Sequence, residues 1–120
     1  MENIEELKYV PSGTRKLDVI MARLRTGSAG VGQYLFKTKQ LDTPYCKHCV
    51  DSIETIKHLI FDCPGTDQER MIFGRKLERL GIGQVTMKGL LVGNNMTPKR
   101  WKRVVVEFGK FLESIGRMDL

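Results

Sequence analysis

The segment YCKHCVDSIETIKHLIFDCP, Tyr45 to Pro64, holds all three cysteines and both histidines of the chain. It can be read as a metal site, as a redox pair, or as small residues buried together. The spacing Cys46-x2-Cys49-x8-His58-x4-Cys63 favours the metal. A C-x2-C pair in a loop sets two thiolates about one ion. A histidine on the next helix and a cysteine just past its end then close a tetrahedron, with Zn–S near ~2.3 Å and Zn–N near ~2.0–2.1 Å. Four protein ligands leave no open position for a catalytic water, so the expected role is structural. His48 lies between the two cysteines, where its backbone is committed to the turn, so His58 is the expected imidazole. Glu54, one helical turn earlier, is a candidate acceptor for the other imidazole N–H. The plainer reading of Glu54 is a carboxylate in a first helical turn, favoured by the helix dipole. Nothing around the cysteines has the strand-to-helix setting of a thioredoxin-like pair.

Outward from this segment the apolar periodicity is helical. Thr14 or Ser12 can cap a helix with Leu17, Ile20, Met21 and Leu24 on one stripe, stopped at Gly27. QYLFKTKQL reads as a short helix around Tyr34, Leu35 and Phe36, and DTPYC as a loop. After Cys49 the spacing of Ile53, Ile56, Leu59 and Ile60 predicts a helix with Asp51 or Ser52 near its N-cap, ended by Cys63-Pro64-Gly65. Thr66 or Asp67 caps a further helix packing through Ile72, Phe73, Leu77 and Leu80. A short helix starts at Thr86 and ends at Gly93-Asn94. The last helix has Thr97 as N-cap and Pro98 at its first position, and buries Trp101, Val104, Val105, Phe108, Leu112 and Ile115. Its VVV run has strand character, but capping and a long periodic run outweigh it. The expectation is one all-α domain over residues 1–120, of about five to six helices stapled by one zinc site. Residues 1–11 are read as a flexible N-terminal segment.

Length and composition agree: 120 residues, 41% hydrophobic and 28% charged, describe one globular domain with a modest core. The acidic start MENIEELKYVPSG lacks the pattern of a secretory signal, and no run approaches the ~18 apolar residues of a membrane span. The chain is therefore expected to be intracellular, where thiols stay reduced. An odd cysteine count also fits a disulfide framework badly. A net charge of +6 favours polyanionic partners.

MARLRTGSAGVGQYLFKTKQLDTPYCKHCVDSIETIKHLIFDCPGTDQER resembles the zinc-binding region near the C-terminus of reverse transcriptases of non-LTR (LINE-type) retrotransposons. The pieces that carry the resemblance are Arg23 to Gly27, Cys46 and Cys49, Glu54-Thr55 with His58, Cys63-Pro64, and Glu69-Arg70, within residues 21–70. Many family members have a histidine after RLRTG, where this chain has Ser28. Residues 71–120 carry no matching motif. The polymerase aspartates and the RNase H carboxylates are not in this sequence, which reads as an excised domain, a stand-alone relative or a domesticated fragment.

The resemblance implies binding of RNA or DNA. The cationic candidates are Arg15, Lys16, Arg23 and Arg25 on the first helix, Lys37 and Lys39 after the second, Lys47 in the knuckle, and Lys99, Arg100, Lys102 and Arg103 around Trp101. Exposed Tyr45 or Trp101 would add base stacking. Against this, Trp101 falls on an apolar stripe, Tyr45 can pack under the loop, and the cations can be a solvated face or a nuclear-import signal. The import reading favours the nucleus over the cytoplasm. There is no paired-carboxylate motif, P-loop or nucleophile elbow, so no enzymatic activity is expected. A protein-interaction module on the same scaffold is the alternative.

Overall fold

The computed structural model describes residues 14–120, so Ser12 and the segment 1–11 lie outside the described residues. Among these residues the chain is all-α. The helices are α1 (Arg15–Thr26), α2 (Gly32–Lys37), α3 (Asp67–Arg79), α4 (Met87–Val92) and α5 (Pro98–Ser114). A π-helical turn (His58–Asp62) and a 3₁₀ turn (Pro64–Thr66) lead into α3. The sole extended pairing among the described residues is one antiparallel bridge, Tyr45 to Ile53. No described helix is long and apolar enough to cross a membrane.

α5 is the centre of the core, and its sequence explains why. Thr97 Oγ1 accepts the N–H of Arg100 at 3.2 Å, and Pro98 supplies the first helical position. Trp101, Val104, Val105, Phe108, Leu112 and Ile115 are all buried, as the periodicity predicts. Phe108 and Phe111 pack on Phe73 of α3 with ring centroids 6.0 and 5.6 Å apart. Trp101 is 3% exposed and donates its indole N–H to Leu90 O of α4 at 2.8 Å, so it is a core residue and not a stacking surface. α1 lays Leu17, Ile20, Met21 and Leu24 onto the same core and ends at Gly27, whose φ of 80° closes the helix. On α3 only Phe73 and Leu77 are buried. Ile72 is exposed and Leu80 half-buried, because the stripe facing the phenylalanines of α5 is narrow.

The segment after Cys49 departs from the expected helix. Asp51 and Ser52 do not cap it, and Ile53 is 45% exposed instead of lying on a buried stripe. The backbone of 52–54 is engaged elsewhere: Cys46 N–H bonds Ser52 O at 2.8 Å and Glu54 N–H bonds Pro44 O at 2.9 Å. Helical turns begin only at Ile56, and Thr55 acts as the cap, its Oγ1 accepting the His58 N–H at 3.0 Å. Leu59 and Ile60 are buried as expected.

Candidate metal centre

The π-helical turn decides the geometry of the cluster. Cys63 N–H bonds His58 O at 2.8 Å, an i→i+5 closure. In an α-helix, residues five apart point about 140° away from each other. The wider turn brings His58 and Cys63 over one another. The first two cysteines come from a tight turn in which His48 N–H points at Cys46 Sγ (3.4 Å) and Val50 N–H bonds Cys46 O (2.9 Å). Val50 takes φ 55° to complete that turn, a strained conformation for a β-branched residue.

The donor atoms of Cys46, Cys49, His58 and Cys63 all lie within 4.8 Å of one another and can hold one metal ion. Cys46 Sγ is 3.7 Å from Cys63 Sγ, and Cys49 Sγ is 3.4 Å from His58 Nε2. For bonds of the zinc lengths above, the edges of a tetrahedron are about 3.8 Å for S···S and about 3.6 Å for S···N. Both measured edges therefore suit an ion at the centre. All three cysteines are free thiols, and the sulfur separation is far beyond the ~2.05 Å of a disulfide. Burial pushes the Cys46 thiol up to about 12. The backbone N–H of Asp51 holds the Cys49 thiol below its ordinary value. Of the three thiols, burial makes Cys46 harder to ionise and backbone hydrogen bonding makes Cys49 easier.

Glu54 does not serve His58, contrary to the expectation. It is 3% exposed, and its oxygens are taken by Gly32 N–H (Oε1, 2.8 Å) and Arg117 Nη1 (Oε2, 2.7 Å). Its carboxylate lies near Cys46 and His48 instead. It ties the knuckle to the C-terminal end of the fold, since Arg117 also donates to Gly30 O (2.8 Å) and Asp119 Oδ1 (3.1 Å). His48 reaches the same region, with Nε2 3.1 Å from Ile115 O. Arg70 brackets the other flank. It donates to Cys63 O at 2.6 Å, Ile60 O at 3.1 Å and Thr66 Oγ1 at 3.0 Å, satisfying carbonyls that the π-helical turn leaves open.

Arg117 and Gly32 carry no local signal in the sequence, and Gly65 signals only a helix stop. A Cβ on Gly65 would lie 2.5 Å from His48 O, so the 3₁₀ turn after Cys63 sits directly on the knuckle backbone. A Cβ on Gly32 would lie 2.7 Å from Pro44 O. Gly65→Ala is expected to cost about 1–3 kcal/mol through this overpacking, read as a lowered thermal midpoint, because neither partner is a flexible side-chain end.

The cationic candidates are dispersed. Arg15, Lys16 and Arg23 line one surface groove with Met118, Asp119 and Leu120. Lys37 lines another with Lys57, and Lys39 and Lys47 are exposed nearby in sequence. Lys99, Arg100, Lys102 and Arg103 are exposed on the first turns of α5, Arg100 also donating to Gly81 O at 3.2 Å. Arg25 is half-buried and donates to Leu91 O at 3.1 Å, which commits it to the fold. Tyr45 is 53% exposed and does not pack beneath the loop. Comparison of the chain with protein-family models, curated proteins and solved structures returns no match in any of the three.

Proposed function

We propose that Cys46, Cys49, His58 and Cys63 hold one zinc ion, and that the domain so stapled is a non-catalytic nucleic-acid-binding module. The convergence of those four donors, with two opposite separations near tetrahedral edges, carries the zinc reading. Zinc supplies a cross-link between the knuckle turn and the π-helical turn. The protein's own residues aim the donors and exclude water from Cys46 and Cys63, which are 1% and 0% exposed. With every position filled by protein, the ion is left no site for substrate.

Nucleic-acid binding is supported by the placement of the cations. α5 begins with Lys99, Arg100, Lys102 and Arg103 and has no acidic residue in its first turn. Cations at a helix N-terminus oppose the helix dipole, so this arrangement costs stability and suits an external polyanion. The proposed kinship is with the zinc region of non-LTR reverse transcriptases, and the proposed setting is intracellular, in the nucleus. A protein-interaction module is the second reading, favoured by an apolar groove along α3 lined by Ile60, Phe61, Met71, Val85 and Leu90.

Titration with single-stranded RNA and duplex DNA at two salt concentrations separates these readings. Binding should weaken steeply as salt rises, because each neutralised phosphate releases counterions. Charge reversal at Lys99, Lys102 and Arg103 should lower both affinity and salt slope. Absence of binding at low salt would leave the protein-interaction reading.

A further inference from the structure

A second groove, of about 720 Å³, opens between α2 and the bridge that enters the knuckle. Its lining includes Tyr34, Phe36, Lys37, Pro44, Ile53 and Lys57. The groove leaves large apolar side chains in solvent: Phe36 is 47% and Ile53 45% exposed. Tyr45, directly opposite Ile53 in the antiparallel bridge, is 53% exposed. The two flanking hydrogen bonds, Cys46 N–H to Ser52 O and Glu54 N–H to Pro44 O, make Tyr45 and Ile53 a close pair on one face. Tyr45 is thus the cross-strand neighbour of Ile53, which lines the groove together with Phe36. The charge there has one sign. Lys37 and Lys57 line the groove and no carboxylate does. The ion pair of Lys57 with Asp62, at 3.3 Å, is exposed on both sides and exchanges readily for another anion.

Exposed aromatic rings beside lysines, with no carboxylate in the groove lining itself, match a strand that presents bases and phosphates together. We infer that this groove is a platform for single-stranded nucleic acid, its bases seated on Phe36 and Tyr45 and its phosphates held by Lys37 and Lys57. The inference rests on the nucleic-acid reading above and sharpens it to unpaired strands, since bases stacked in a duplex have no free face to offer. An apolar peptide would meet the same rings but would offer no anion to Lys37, and Lys57 would keep its exposed pair with Asp62.

The test uses an oligouridylate of about ten nucleotides and a duplex DNA of equal length, at one low salt concentration. Phe36→Ala and Tyr45→Ala should each weaken oligouridylate binding at least about fivefold while changing duplex binding little. Both side chains are half in solvent, so the variants fold; helicity and thermal midpoint verify this. Tyr45→Phe should bind like the parent. Phe36→Trp should retain binding, and its emission should be quenched by the bound strand. Trp101, the one native tryptophan, is buried and gives a constant background. If the parent binds oligouridylate and the alanine variants bind it equally well, the groove is not the site and the general nucleic-acid reading stands. If the parent binds neither probe, both fall. A dimer of the parent that dissociates in Phe36→Ala, with oligouridylate affinity unchanged, would show that a second copy covers this face.

Discussion

Cys63→Ser is expected to remove the cooperative unfolding transition of the protein. Cys63 is fully buried, 3.7 Å from Cys46 across the cluster, and it ends the π-helical turn that carries His58. Structural zinc contributes on the order of 10–16 kcal/mol to the folding of small domains, which matches or exceeds the ~5–15 kcal/mol by which domains are stable at all. Without the ion, three thiols and an imidazole converge with nothing to hold them together. The knuckle turn, with Val50 in a left-handed conformation, also loses the tie that keeps it closed. His48→Ala makes the informative contrast. It removes the contact of Nε2 with Ile115 O and the long one of Nδ1 with Cys46 Sγ (3.9 Å), at a cost of about 1 kcal/mol, and should keep the metal, whereas His58→Ala should lose it. The effect of pH has a definite sign. Zinc binds thiolates, and burial keeps the Cys46 proton in place up to about 12, so binding must expel that proton. Metal affinity should therefore rise with pH and fall as acid is added, with the thermal midpoint of the loaded protein following it.

Arg117→Met should destabilise the fold by about 3–5 kcal/mol, measured by urea denaturation, because it strands a buried carboxylate. The Glu54 and Arg117 side chains are 4% and 10% exposed and meet at 2.7 Å. Burial alone would lower the affinity of the guanidinium for its proton. The hydrogen bonds and charges of Glu54 and Asp119 outweigh this and hold it above its ordinary value. Adding Glu54→Gln should recover part of the loss, since the amide oxygen still accepts the Gly32 N–H and no buried charge is left unpaired. The double variant should then lose less than the sum of the two single losses. Additive losses would mean that the two residues are not energetically coupled.

The sequence carries much of this structure wherever the cause is local. α5 is legible because Thr97-Pro98 caps it and because Trp101, Val104, Val105, Phe108 and Leu112 recur at helical spacing. The four candidate donors are legible because metal ligation imposes a spacing that burial alone does not. What escapes is set by distant partners. Glu54 and Arg117 are 63 residues apart, and nothing near Glu54 announces a buried arginine. The periodicity of Ile53, Ile56, Leu59 and Ile60 suggests a helix from Asp51, but backbone bonds from Cys46 and to Pro44 hold residues 52–54 extended. The π-helical turn escapes for the same kind of reason. Apolar spacing reports which face is buried, whereas the i→i+5 closure follows from bringing His58 over Cys63. Gly32 and Gly65 read as ordinary loop glycines until the backbones they contact, Pro44 and His48, are in place.

The most direct measurement is the metal content of the folded chain, purified without chelator and weighed intact under native conditions. One zinc per chain is predicted, retained in His48→Ala, absent in His58→Ala, and lost together with the fold on chelation. A metal-free chain that still unfolds cooperatively would contradict it.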